Sequence, residues 1–230
     1  MAIRAARAAL ARIFFQRCFY LFMAVLVLVT IAPLIEPTPN GRIALNLLSV
    51  FVVVAAVAAL GRTVGSFVVA LLLAIPALAL QWDAVRAHHP EMLIWSWGFA
   101  TALYITTLVY LLRYVFQRDV MTADRLWGAG ASYMMIGVVW TYLYGFVEHF
   151  YPHSFSLGGV VADVDLPDLL YFSFTVLTST GFGDMSPVSR PARSLCVLEQ
   201  LIGALFVSIL IARLAGLYPP QRGRIPTDSN

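Results

Sequence analysis

What most constrains this chain is a succession of apolar runs, each about as long as a bilayer is thick. A hydrocarbon core of about 30 Å takes about 20 apolar residues in a helix, within a range of roughly 17–25. Six stretches meet that requirement: 18–35, 43–60, 63–80, 92–112, 126–147 and 195–217. Turn-forming sequences separate several of them, such as EPTPNG at 36–41 and HHPE at 88–91. Pro33 and Pro76 fall inside the first and third runs, where proline can bend a span without ending it. With 60% hydrophobic and only 12% charged residues, the composition is not that of a soluble domain. The predicted fold class is an all-α membrane protein with six transmembrane helices.

All 15 basic residues are arginine, so charge placement reads as topology and not as a nucleic-acid-binding face. Eleven arginines fall on the side of the N-terminus and four, Arg42, Arg86, Arg190 and Arg193, on the other. By the positive-inside rule both termini are expected in the cytoplasm of a multi-pass cell-membrane protein. The basic segment 1–17 is expected to lie on the inner membrane surface as an amphipathic helix, not to be a cleaved signal. Cys18 and Cys196 then stand near opposite faces and are expected to remain unbridged. The expected domains are this N-terminal segment, a four-helix module at 18–117, a pore module at 118–218 and a short cytoplasmic tail at 219–230, with no soluble ligand-binding domain.

Between the fifth and sixth runs lies an apolar segment too short to cross, LLYFSFTVLT at 169–178. Ten residues of helix rise about 15 Å, half the core, so the chain must return as a re-entrant loop whose backbone faces protein or water. Pro167 and Asp168 suit the start of such a helix. The return is TSTGFGD at 178–184. Gly181 and Gly183 permit positive φ, and alternating signs of φ turn successive carbonyls to one side. A row of carbonyls replaces the hydration shell of a cation, with the hydroxyl of Thr178 or Ser179 as an entry ligand and Phe182 packing outward.

These residues resemble the tetrameric potassium-channel pore family, whose filter reads hydroxyl, hydroxyl, aliphatic, Gly, aromatic, Gly, Asp between an outer and an inner helix. The resemblance covers about 122–217. It implies that Thr178, Ser179, Thr180, Gly181, Phe182 and Gly183 form the selectivity filter, with K+ at the carbonyls of Ser179, Thr180, Gly181 and Phe182, and Asp184 at the outer mouth. Tyr171, Phe172 and Ser173 fall where the family has an aromatic pair and a small residue in its pore helix. Gly203 stands where many members carry an inner-helix hinge, and Ala204, Val207 and Ile211 would line the inner cavity. One filter segment per chain implies a homotetramer among membrane lipids. No cofactor is implied other than K+ itself.

Thr180 replaces the family's valine or isoleucine, and Phe182 its commoner tyrosine. The implied function is passive, potassium-selective conduction; the alternatives are a weakly selective or nonselective monovalent cation channel, or a non-conducting pore-like scaffold. Glu199, inside the sixth run, is expected to support the filter from behind, near Thr175, and to make conduction acid-sensitive. None of the first four runs carries arginine at every third position, so no voltage sensor is expected. Asp163, Asp165 and Asp168 are expected near the outer mouth, where acids concentrate cations. Trp82, Trp95 and Trp97 fit an interfacial belt, while His88 and His89 read as loop. No hydrolase, metalloprotease or nucleotide-binding motif is present, and no enzyme is expected.

Overall fold

The computed structural model describes residues 17–35, 41–60, 64–87, 90–117 and 122–217. Residues 1–16, the turn with Glu36, Arg62, His88 and His89, the linker at 118–121 and the tail from 218 onward lie outside the described residues. The helices are α1 (Arg17–Ile35), α2 (Gly41–Leu60), α3 (Val64–Ala87), α4 (Pro90–Val115), α5 (Ala123–Phe150), α6 (Leu166–Leu177) and α7 (Arg190–Leu217). Four of them carry stretches long and apolar enough to cross a membrane: Val64–Ala84, Glu91–Val115, Ala123–Phe150 and Arg190–Ala215. The apolar stretches of α1 and α2, Arg17–Ala32 and Ile43–Ala59, are shorter. Pro76 stands inside α3 without ending it.

The helices extend past the apolar runs because hydrogen bonding continues where hydropathy stops. At the start of α7, Ser189 Oγ accepts the Ala192 amide at 3.3 Å, and Pro191 needs no partner for its nitrogen. At the start of α5, Thr122 Oγ1 accepts the Arg125 amide at 3.3 Å.

Helix α5 is the hub. It packs on α1, α4, α6 and α7, and 67% of its apolar stretch is buried, against 17% for that of α7. In lipid there is no hydrophobic drive between helices, so close backbone approach and polar ties must hold them together. Both are present. A Cβ at Gly137 would stand 2.7 Å from the Phe174 ring, which is how α6 reaches the α5 backbone. Asp124, in the first turn of α5, accepts the Tyr114 hydroxyl at 2.8 Å and the Cys18 amide at 3.3 Å, joining α4 and α1. Gln81 Nε2 donates to Asn46 Oδ1 at 2.6 Å and to Ser49 Oγ at 3.0 Å, tying α3 to α2. Trp97 turns inward against Gly145, edge-on to Tyr142 and Phe146, and so packs α4 on α5 instead of joining a belt; Trp95 stays exposed. Cys18 and Cys196 form no disulfide with each other.

The all-α expectation requires one correction. Residues 155–157, 160–161 and 185–187 form three short strands, β1 (Phe155–Leu157), β2 (Val160–Val161) and β3 (Met185–Pro187), in an antiparallel sheet ordered β2-β1-β3. Leu157 pairs with Val160 across Gly158 and Gly159, whose φ of 57° and 84° make the two-residue turn that glycine pairs favour in hairpins. Leu157 also pairs with Met185, so the hairpin is joined to the segment that leaves the 178–184 limb.

Where α6 meets α7, a Cβ at Gly203 would come within 2.5 Å of the Leu177 carbonyl oxygen. Gly203→Ala is therefore expected to push α7 off α6 and cost about 1–3 kcal/mol. Thermal unfolding in detergent checks this against Gly65→Ala, a site with nothing within 4 Å. A Gly203→Ala melting temperature equal to wild type would mean that the contact yields freely.

Candidate functional site

The limb at 178–184 hangs from the C-terminal end of α6. At the other end of that helix the Asp165 amide donates to the Asp168 carboxylate at 3.2 Å, so Asp168 serves the helix start. The last four carbonyls of a helix lack intrahelical partners, and here each of them is satisfied. Phe174 O accepts the Thr178 amide and hydroxyl, at 3.1 and 2.7 Å. Thr175 O accepts the amides of Thr180 and Gly181, at 2.9 and 3.2 Å, and Val176 O that of Ser179 at 2.9 Å. Leu177 O accepts the Tyr133 hydroxyl of α5 at 3.0 Å.

The limb's first amides thus point back into α6. Its φ is positive at Ser179 (57°), Gly181 (53°) and Gly183 (81°), so the sign alternates along the limb. Sequence reasoning anticipated the two glycines but not Ser179, which pays the roughly 1–2 kcal/mol cost of a left-handed residue bearing a side chain. Among the described residues nothing donates to the carbonyls of 178–183, and all of these residues are exposed in the single chain. A segment whose first four amides are turned back into the helix and whose carbonyls are open can coordinate cations.

The far end of the limb is tied down separately. Asp184 Oδ2 accepts the Tyr171 hydroxyl at 2.8 Å, and its carbonyl accepts the Gly158 amide at 2.7 Å. The first bond holds the Tyr171 phenol above its ordinary pKa, so the tie persists at neutral pH. Phe182 does not pack into the core. It is 70% exposed and stacks parallel to the Tyr171 ring, centroids 6.4 Å apart. Thr180 Oγ1 lies 2.8 Å from Thr178 Oγ1; because the Thr178 proton goes to Phe174 O, Thr180 is the donor.

Glu199 is fully buried behind α6. Its Oε2 accepts the Tyr144 hydroxyl at 2.6 Å, and its Oε1 lies 2.6 Å from Ser173 Oγ. Thr175 is not its partner: the Thr175 hydroxyl donates to Phe172 O at 2.8 Å. Ser173 Oγ is also 2.8 Å from Gly137 O. Ser173 has one hydroxyl proton and a carbonyl only accepts, so both contacts are hydrogen bonds together when Glu199 carries the proton toward Ser173. Above this cluster Phe155 packs edge-on to Tyr144 and Phe172, coupling the sheet to it. Tyr133, Tyr144 and Ser173 escaped sequence reasoning as a group, although Tyr133 and Tyr144 stand three helical turns apart on one face of α5.

On α7, Gly203 and Phe206 face the chain's interior, while Ala204, Val207 and Ile211 are exposed on another face. Asp163 and Asp165 are exposed near the hairpin.

Residues 131–218, from within α5 past the end of α7, match a family model described as an ion channel. The match supports ion-channel function. It favours a channel over an enzyme, and together with the apolar helices it supports a membrane protein. No curated protein and no solved structure matches the chain.

Glu199→Gln should keep the fold, since an amide can donate to Ser173 while accepting from Tyr144. Glu199→Leu strands both hydroxyls and should cost about 1–3 kcal/mol for each left unpaired. Thermal unfolding of the two variants checks this, and equal losses would mean that an amide does not replace the carboxyl in these bonds.

Proposed function

We propose that the chain is one subunit of a potassium-selective channel, a homotetramer of six-span subunits with both termini cytoplasmic. In this reading α6 is a re-entrant pore helix, 178–183 the filter, and α5 and α7 the outer and inner helices. The observation that carries it is the alternation of φ at Ser179, Gly181 and Gly183 beside carbonyls that nothing else occupies. Around a fourfold axis the carbonyls of Ser179, Thr180, Gly181 and Phe182 would form rings that replace water around K+. Asp184 would concentrate cations at the outer mouth. Ala204, Val207 and Ile211, exposed in the single chain, would face the inner cavity, and Gly203 would serve as the hinge. Glu199 would hold the pore helix from behind.

One observation favours a second reading, a weakly selective cation channel. The Thr180 hydroxyl turns to Thr178 beside the limb, where an aliphatic side chain would have excluded polar atoms.

Bilayer recording of purified protein under opposed potassium and sodium gradients should give reversal potentials that follow potassium. Reversal set by total monovalent cation would favour the second reading. Gly181→Ala places a methyl group at a φ of 53° and should abolish current while assembly persists. Retained current in that variant would remove the limb from the conduction path, and activity without any current would favour a scaffold.

A further inference from the structure

Three metal-ligating side chains that belong to neither the limb nor the Glu199 cluster meet beside the hairpin. Glu148 near the end of α5, His153 before β1 and Asp163 after β2 each bring one ligand atom within 4.8 Å of the others. His153 Nδ1 and Asp163 Oδ1 are 3.3 Å apart. Two ligands of a tetrahedral ion with bonds of about 2.0–2.2 Å stand about 3.3–3.6 Å apart, so this pair is already at coordination spacing.

The third ligand is also positioned in advance. Glu148 Oε1 accepts the His153 amide at 2.8 Å and Oε2 the Ser154 amide at 3.0 Å, which leaves each oxygen a lone pair. His153 has φ of 62°, a left-handed backbone uncommon for residues with a side chain. The Glu148 carboxylate grips the amides on both sides of that residue. Two carboxylates and a neutral imidazole carry a charge of −2, which suits a divalent ion. A nitrogen among the ligands favours the zinc class over calcium or magnesium, which take oxygen.

We propose that Glu148, His153 and Asp163 bind one divalent transition-metal ion of the zinc class per chain, with water completing its coordination. The site goes beyond the conduction reading and stands whether or not the chain conducts. A bound ion links the end of α5 to both ends of the β1–β2 hairpin. Through the Gly158 amide on the Asp184 carbonyl, the hairpin is joined to the last residue of the limb.

The test uses the metal-free full chain in lipid nanodiscs, titrated with Zn2+ by calorimetry and with Co2+ by visible absorption. The expected result is one ion per chain with the absorption of tetrahedral Co2+. Asp163→Asn and His153→Ala should each weaken binding at least about tenfold, while His149→Ala leaves it unchanged. The Asp163 side chain is 89% exposed, so its substitution tests the site without disturbing the fold. Absence of saturable binding, or wild-type binding by Asp163→Asn, overturns the proposal. Because binding is read without current, its failure is distinguishable from failure of the channel reading.

Discussion

Backbone hydrogen bonding at the end of α6 governs the rest of the site. A helix that stops within a protein leaves carbonyls to be satisfied, and in this chain the amides that satisfy three of them come from the residues immediately after. Turning those amides inward frees the limb's own carbonyls, and the left-handed residues at 179, 181 and 183 allow that arrangement to persist along the segment. Glycine at 181 and 183 is thus a consequence of where α6 ends.

That end must itself be held, and α5 holds it. The glycine at 137 lets α6 approach the α5 backbone, Tyr133 occupies the last carbonyl, and Tyr144 shares Glu199 with Ser173. A carboxyl buried among helices is costly unless every oxygen is used. Here both oxygens are engaged, by residues from the two elements that flank α7, so the polar cluster fixes the relative placement of three helices where apolar contact alone would permit sliding.

Hydropathy made the helices legible, because alternation between apolar runs and turn sequences is a property of neighbouring residues. Four long apolar helices and the short one at 166–177 were readable in that way, and so was the irregular limb, through its glycines. The sheet was not: its strands are two or three residues long and β1 pairs with β3 across about thirty positions, leaving only Gly158–Gly159, between β1 and β2, as a local sign. The Glu199 cluster was half legible. A carboxyl inside an apolar run announces a partner, but nothing local says that the partners are Tyr144, 55 positions away, and Ser173 instead of Thr175. Trp97 looked like its exposed neighbour Trp95 because hydropathy does not say which face of a helix meets protein.

The Leu177 carbonyl has a role that its hydrogen bond alone does not describe. It is gripped by Tyr133 on one side and touched by the bare backbone of Gly203 on the other, with no side chain between to absorb displacement. It therefore acts as a bearing: α7 cannot roll or slide at its midpoint without pressing on the final turn of α6. That turn also supplies the carbonyls that anchor the limb's amides, so motion of the long helix and the spacing of the open carbonyl row form a single mechanical coordinate.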